Sequence, residues 1–307
     1  MPDIPVDAQW EQNGVTIAGN HGWGGTINQL RFPKGLFFDN TRTLVIADSY
    51  NNRIIQWSMN NMKLEVVAGG NGAGSGLNQL NEPTDVLIDK TTNSLIINDL
   101  GNKRVVRWSR RSGTIQGEIL LDNIDGHGLA MDEQGCLYVS NHAKHEVRRY
   151  RIGDKNGNVV AGGNGQGDKF NQLNHPNYIF VDPQQIIFVS DNYNHRVMKW
   201  NKNATEGIIV AGGNGQGNNM TQLNYPDQLI VDISGTLYVA DSQNNRVIRW
   251  TKQATYGTVI VGGNGRGGEA NQLVWPRGLS FDRDNNLCVS DTHNNRVQKF
   301  DFKNTQK

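Results

Sequence analysis

The sequence predicts an all-β fold in which six sheets of four strands each stand around a ring, the last sheet being closed by a strand from the N-terminus. Three observations lead there. An alternating segment, proline-containing in all but the third copy, recurs six times, three further short alternating runs follow it in nearly every copy, and a segment near the N-terminus matches the run that the sixth copy lacks. Short runs with period-two apolarity are strands, and four of them in a unit of about 50 residues form one blade of a β-propeller.

The first strands begin with FPKGLFFD at 32, EPTDVLID at 82, DGHGLAMD at 125, HPNYIFVD at 175, YPDQLIVD at 225 and WPRGLSFD at 275, spaced by 50 residues except for 43 between the second and third. Second strands follow as LVIAD (44–48), LIIND (95–99), LYVSN (137–141), IFVSD (187–191), LYVAD (237–241) and LCVSD (287–291). Third strands end in an aromatic ring at Trp57, Trp108, Tyr150, Trp200, Trp250 and Phe300, which suits packing between blades. Fourth strands read LEVVAGG (64–70), NVVAGG (158–163), IIVAGG (208–213) and TVIVGG (258–263). The sixth unit ends soon after Phe300, and GVTIAG at 14–19 matches GTVIVG at 257–262, so the N-terminal segment pairs with 296–300 and closes the ring. Closure removes exposed sheet edges, and a monomer is expected. The chain, 1–307, reads as a single propeller domain: blade 1 about 31–70, blade 2 about 81–123, blade 3 about 124–164, blade 4 about 174–214, blade 5 about 224–264, and blade 6 about 274–300 plus strand 14–19.

Composition agrees. The chain has 36 glycines, 36% hydrophobic and 19% charged residues, and no apolar run long enough to span a membrane, so no membrane insertion is expected. Thirty basic residues against 29 acidic ones give +1, without the electrostatic footprint of a nucleic-acid binder. Cys136 and Cys288 fall in blades on opposite sides of the ring and are expected free and buried. MPDIPVDAQW shows no signal-peptide pattern, while Asn203 and Asn219 head acceptor sequons that point to an extracellular setting.

AGGNGQG stands at 161–167 and again at 211–217, with AGGNGAG at 68–74, VGGNGRG at 261–267 and a degraded AGNHGWG at 18–24. A phosphate loop serves one site and leads into a helix. Nothing helical follows these copies, so they read as connectors whose glycines take positive φ. Five carboxylates likewise precede an arginine by five residues: Asp48 and Arg53, Asp99 and Arg104, Asp191 and Arg196, Asp241 and Arg246, Asp291 and Arg296. Five copies are not one active site, and the pairs read as a repeated turn-closing network. Blade 3 has Asn141 and Glu146 instead, a joint departure that places the two positions in contact.

P-x-G-[LIV]-x-x-D, L-x-V-x-D, N-x-R-[VI]-x-[RKQ]-W and V-A-G-G together resemble the NHL-repeat family over roughly 14–300, in six copies. The resemblance implies a six-bladed propeller. It leaves function open, since some members bind RNA, some mediate protein contacts or act as extracellular or sensor domains, and a few related propellers are metal-dependent lyases or hydrolases.

Function is therefore sought in positions that differ between blades. With Gly126 counted as the proline equivalent in blade 3, the residue after the proline is Lys34, Thr84, His127, Asn177, Asp227 or Arg277, and the one before it Phe32, Glu82, Asp125, His175, Tyr225 or Trp275. The turn after the second strand adds Tyr50, Gly101, His142, Tyr193, Gln243 and His293. These positions share the connector face, where their mixture of aromatic, imidazole, amide and charged groups suits a protein, peptide or glycan ligand. A non-enzymatic binding module without a cofactor is the leading expectation. The alternative is a lyase or hydrolase with zinc or calcium in the channel, its ligands drawn from His127, His175, His293, Glu82 and Asp227. RNA binding is the third reading; on the rim only Lys34 and Arg277 are basic, and Glu82 and Asp227 oppose them. The blade 2/3 junction, GEILLDNIDGHG at 117–128, lacks the long connector, which leads us to expect His127 and His142 to be open to solvent there.

Overall fold

The computed structural model describes residues 1–19, 21–39 and 41–303; Asn20 of the degraded connector lies outside these. Six four-stranded antiparallel sheets form the ring. Blade 1 runs through Pro33–Phe38, Thr43–Asp48, Arg53–Ser58 and Lys63–Gly69, and the other blades repeat that order from the axis outward. Val15–Gly19 pairs antiparallel with Arg296–Phe300, so the N-terminal strand completes the sixth blade as the sequence predicts.

The ring is held by apolar clusters that straddle neighbouring blades. Trp200 of blade 4 packs with Cys136, Tyr138 and Val147 of blade 3, and Trp250 of blade 5 with Phe188 and Val197 of blade 4. All six strand-ending rings are buried. Each large side chain withdrawn from water contributes roughly 1.5–3 kcal/mol, so the repeated aromatic position is a principal source of blade-to-blade cohesion. Both cysteines are free and buried.

The five Asp–Arg pairs form, with arginine Nε 2.7–2.8 Å from the carboxylate and that carboxylate fully buried. Their role is wider than closing a turn. Asp191 Oδ1 accepts from the Asn174 amide and Oδ2 from Asn194 and Arg196, while the Arg196 guanidinium donates to the carbonyls of Asp168, Lys169 and Gln172. The pair therefore clamps the connector entering its own blade. Blade 3 has no such connector, and it has lost the clamp: Asn141 and Glu146 still face each other in register, but Glu146 turns to Arg148 at 2.6 Å and Asn141 accepts the Lys144 amide.

Connector glycines take positive φ, as at Gly162, Gly163 and Gly165 (66°, 79° and 79°). Two features have no repeat behind them. The N-terminal residues form a strap across the face opposite the connectors, where Gln9–Trp10 pairs with Phe302–Lys303 and Trp10 is buried against Tyr238, Phe281 and Phe302. The sequon residues Asn203 and Asn219 are exposed. Among the described residues no helix is long and apolar enough to cross a membrane.

Candidate functional site

Five of the six inner strands, all but that of blade 3, enter the channel from the connector face through a residue with positive φ. Phe32, Glu82, His175, Tyr225 and Trp275 have φ between 49° and 53°, a costly conformation for aromatic side chains. A side chain from the preceding blade holds the amide of each: Asn295 for Phe32, Asn52 for Glu82 and Asn245 for Trp275, at 3.0–3.1 Å. At His175 and Tyr225 the acceptor is an imidazole, Nδ1 of His145 (3.1 Å) and of His195 (3.2 Å). Those two histidines do the work of asparagines, and accepting this bond requires an unprotonated Nδ1.

This backbone turn lifts the side chains into two arcs around the mouth. In the first, Phe32 stacks on Tyr50 (4.7 Å) and meets His293 (4.9 Å), which meets Trp275 (4.6 Å). In the second, His142 stacks on His175 (5.7 Å), His175 on Tyr193 (4.3 Å), and Tyr193 meets Tyr225 (5.4 Å). Gly101 with Glu82 interrupts the circle at blade 2, and Gln243 does so at blade 5. Tyr50 and Tyr193 are 38% and 50% exposed, so the arcs present free faces.

One residue deeper lie Lys34, Thr84, His127, Asn177, Asp227 and Arg277. Asp227 Oδ1 accepts from Asn177 (2.8 Å) and Oδ2 from Ser242 (2.9 Å), while Arg277 Nε stays 3.7 Å from Oδ2. The Thr84 hydroxyl donates to the His127 carbonyl (2.7 Å) and accepts from Asn98, so this predicted rim residue is fully buried and structural. His127 is also enclosed, contrary to the expectation for the blade 2/3 junction: its ring packs edge-on to Tyr178 at 5.2 Å, with His142 at 6.3 Å and half-buried. The missing connector does not expose it because Tyr178 crosses the channel from blade 4. Burial, with the Lys34 and Arg277 charges, pushes the His127 pKa well below its usual value.

A third layer closes the floor. The Tyr178 hydroxyl donates to the Thr84 carbonyl across the axis (3.1 Å), and Gln228 of blade 5 bridges Leu36 of blade 1 and Leu279 of blade 6. Asp85 accepts from the Val86 and Leu129 amides (2.9 and 2.8 Å), and burial raises its pKa to about 7. Glycine alternates with these plugs for lack of room: a Cβ on Gly35 would strike the Asp85 carboxylate, and one on Gly278 the Lys34 carbonyl. The mouth is thus a blind cup with aromatic walls and a polar floor.

Beyond the plug the channel widens into a chamber of about 850 Å³ on the opposite face, lined by residues such as Phe37, Phe180 and Phe281 and by Met1–Asp3 of the strap. Its rim carboxylates are occupied by their own turns, as where Asp39 accepts the Thr41 and Thr43 amides. The cup carries the unsatisfied chemistry. Among the described residues no three histidine, cysteine or carboxylate side chains converge as metal ligands, so His127, His175, His293, Glu82 and Asp227 are not gathered into one site.

Residues 273–300, which hold the first three strands of blade 6, match the NHL repeat model, and the same pattern recurs in the other blades. The chain is a six-bladed β-propeller that carries an NHL repeat. No protein of curated function matches the NHL propeller in sequence. Solved structures resemble it in fold. An auxiliary nutrient binding protein from Bacteroides thetaiotaomicron superimposes with a TM-score of 0.73 at 17% identity, over 96% of this chain and 77% of that one. A gluconolactonase from Xanthomonas campestris gives 0.67 at 15%, over 99% and 98%. A virginiamycin B lyase from Staphylococcus aureus gives 0.59 at 12%, over 91% and 97%. At these identities the likeness concerns architecture alone.

Proposed function

We propose that the NHL propeller is a non-enzymatic binding module whose connector-face cup takes a polar ligand with an apolar face, a glycan or a peptide segment of a protein. The observation that carries this reading is the pair of stacked aromatic and imidazole arcs standing over a blind polar floor. Aromatic faces pay little conformational entropy on binding, and the imidazole and amide groups between them offer hydrogen bonds. Keeping bulky rings in a left-handed backbone conformation costs about 1–3 kcal/mol per residue, a cost that glycine would spare and that ligand contact accounts for. The metal-enzyme reading fits the donor set less well, because the Lys34 and Arg277 cations at the floor repel a divalent ion.

Glycan and peptide arrays identify the ligand class, and titration then tests the cup. Tyr193→Ala and Trp275→Ala are expected to weaken binding about tenfold each while leaving the thermal midpoint close to that of the parent. Catalytic turnover of a lactone or ester by purified protein, with no array ligand sensitive to these variants, would refute the binding reading.

A further inference from the structure

The floor of the cup holds two cations whose hydrogen-bond donors are not fully paired. Lys34 and Arg277 come from the adjacent blades 1 and 6, and the buried carboxylate of the same layer, Asp227, already has a hydrogen-bond donor on each oxygen. Arg277 Nε is buried with no hydrogen-bond partner, 3.7 Å from that carboxylate. Among the described residues the Lys34 ammonium has no hydrogen bond or ion pair, although the residue is only 8% exposed. Of the other acids nearby, Glu82 is exposed on the rim and Asp85 lies buried in the layer below, accepting two backbone amides. On the same floor His127 is 6% exposed and its Nδ1 is buried with no partner. A buried polar atom left unpaired, as Arg277 Nε and His127 Nδ1 are, costs free energy.

From this constellation we infer that the floor is an anion site for a single carboxylate of the ligand, received by Lys34 and Arg277 with His127 beside them; the inference rests on the binding reading of the cup. In this layer two cations face the Asp227 carboxylate, with Glu82 on the rim above as a second acid, a balance that admits a monocarboxylate more readily than a phosphate dianion. Charge-assisted bonds to guanidinium and ammonium are among the stronger polar contacts a site provides. Burial, and the Arg277 charge beside it, lower the Lys34 pKa to about 8 against the opposing pull of the Glu82 and Asp227 carboxylates. The arcs above set the rest of the ligand: a ring-bearing body long enough to reach from the floor to Tyr193 and Trp275.

Two probe pairs test this by calorimetric titration, galacturonate against galactose and N-acetylphenylalanine against its amide. The two pairs separate a sugar acid from an amino-acid carboxylate as the source. For at least one pair the acid is expected to bind about tenfold or more tightly than its neutral partner. Lys34→Met is expected to abolish that advantage in a protein that melts no lower than the parent. Equal affinity for acid and neutral partner, an advantage that survives in Lys34→Met, or failure of both acids to bind overturns the anion site. The two readings fail separately, because neutral ligands lost on Trp275→Ala would leave the cup a binding site with no preference for charge.

Discussion

Replacing Lys34 by methionine should stabilise the protein, an unusual direction for a buried position. The side chain is 8% exposed, and its pKa falls from 10.5 to about 8, chiefly through burial and then through Arg277. Each unit corresponds to 1.36 kcal/mol between the two protonation states, so the ammonium costs the fold about 3 kcal/mol at neutral pH. Methionine keeps the unbranched stem and removes the charge. The sign of the pH dependence follows from linkage. Between about 8 and 10.5 the unfolded chain binds more protons at this residue than the folded one, so parent stability rises with pH through that window. Below it both states carry the charge and the whole cost is present. Guanidinium unfolding of parent and variant at pH 7 and pH 10 measures both effects, and subtracting the variant removes other groups that titrate in alkali. The variant is expected to be about 3 kcal/mol more stable at pH 7, with most of the difference gone at pH 10. A variant no more stable than the parent at pH 7, or a difference independent of pH, would show that Lys34 is neutralised in the folded protein and would remove the basis for the anion site.

Two further outcomes test the scaffold. Asp191→Ala leaves the Arg196 guanidinium buried without its carboxylate and releases the Asn174 amide, so denaturant unfolding should show a loss of about 3–5 kcal/mol. His145 and His195 accept backbone amides through Nδ1, and burial lowers both pKa values. Below 6.5 the unfolded chain takes up these protons first, so their stabilisation is complete above 6.5 and is lost as pH falls through the lowered folded values. The double variant His145→Asn, His195→Asn, which copies Asn52 and Asn245, should flatten the acid side of a melting-temperature profile. An unchanged acid limb would show that neither imidazole holds its neighbour's strand.

The six blades, the closing strand and the five Asp–Arg pairs were legible because each recurs, and recurrence separates an architectural residue from a chemical one. The layer beneath the rim was not legible. Tyr178, Gln228 and Asp85 plug the channel by reaching across or between blades, and such contacts leave no period in the sequence. Gly35, Gly128 and Gly278 are glycines because a neighbouring blade occupies the space a Cβ would need, a reason no period in the sequence reveals. The same crossing explains His127: its place on the connector face was readable, while its enclosure depends on Tyr178 from the adjacent blade. The strap was missed for the opposite reason. Trp10 occurs once, and nothing in the repeat pairs it with Asn285, whose carbonyl accepts its indole N–H.

The division of labour between repeated and unrepeated residues is what makes the cup possible. Connector clamping by Asp–Arg and amide capture by Asn or His are performed blade by blade from the second and third strands, so the inner strand's first residues are free of these duties. Freed positions on six strands at one depth around an axis give six independent choices of side chain within reach of one ligand. The outcome here is unbalanced, with lysine and arginine in adjacent blades, a single aspartate beside them and a histidine with a bare nitrogen. A position selected for stability alone would have neutralised Lys34 or made it apolar. Because the surrounding ring draws its cohesion from buried aromatics and clamps elsewhere, it tolerates an unmatched cation at the centre, and that cation is the feature a ligand's charge would complete.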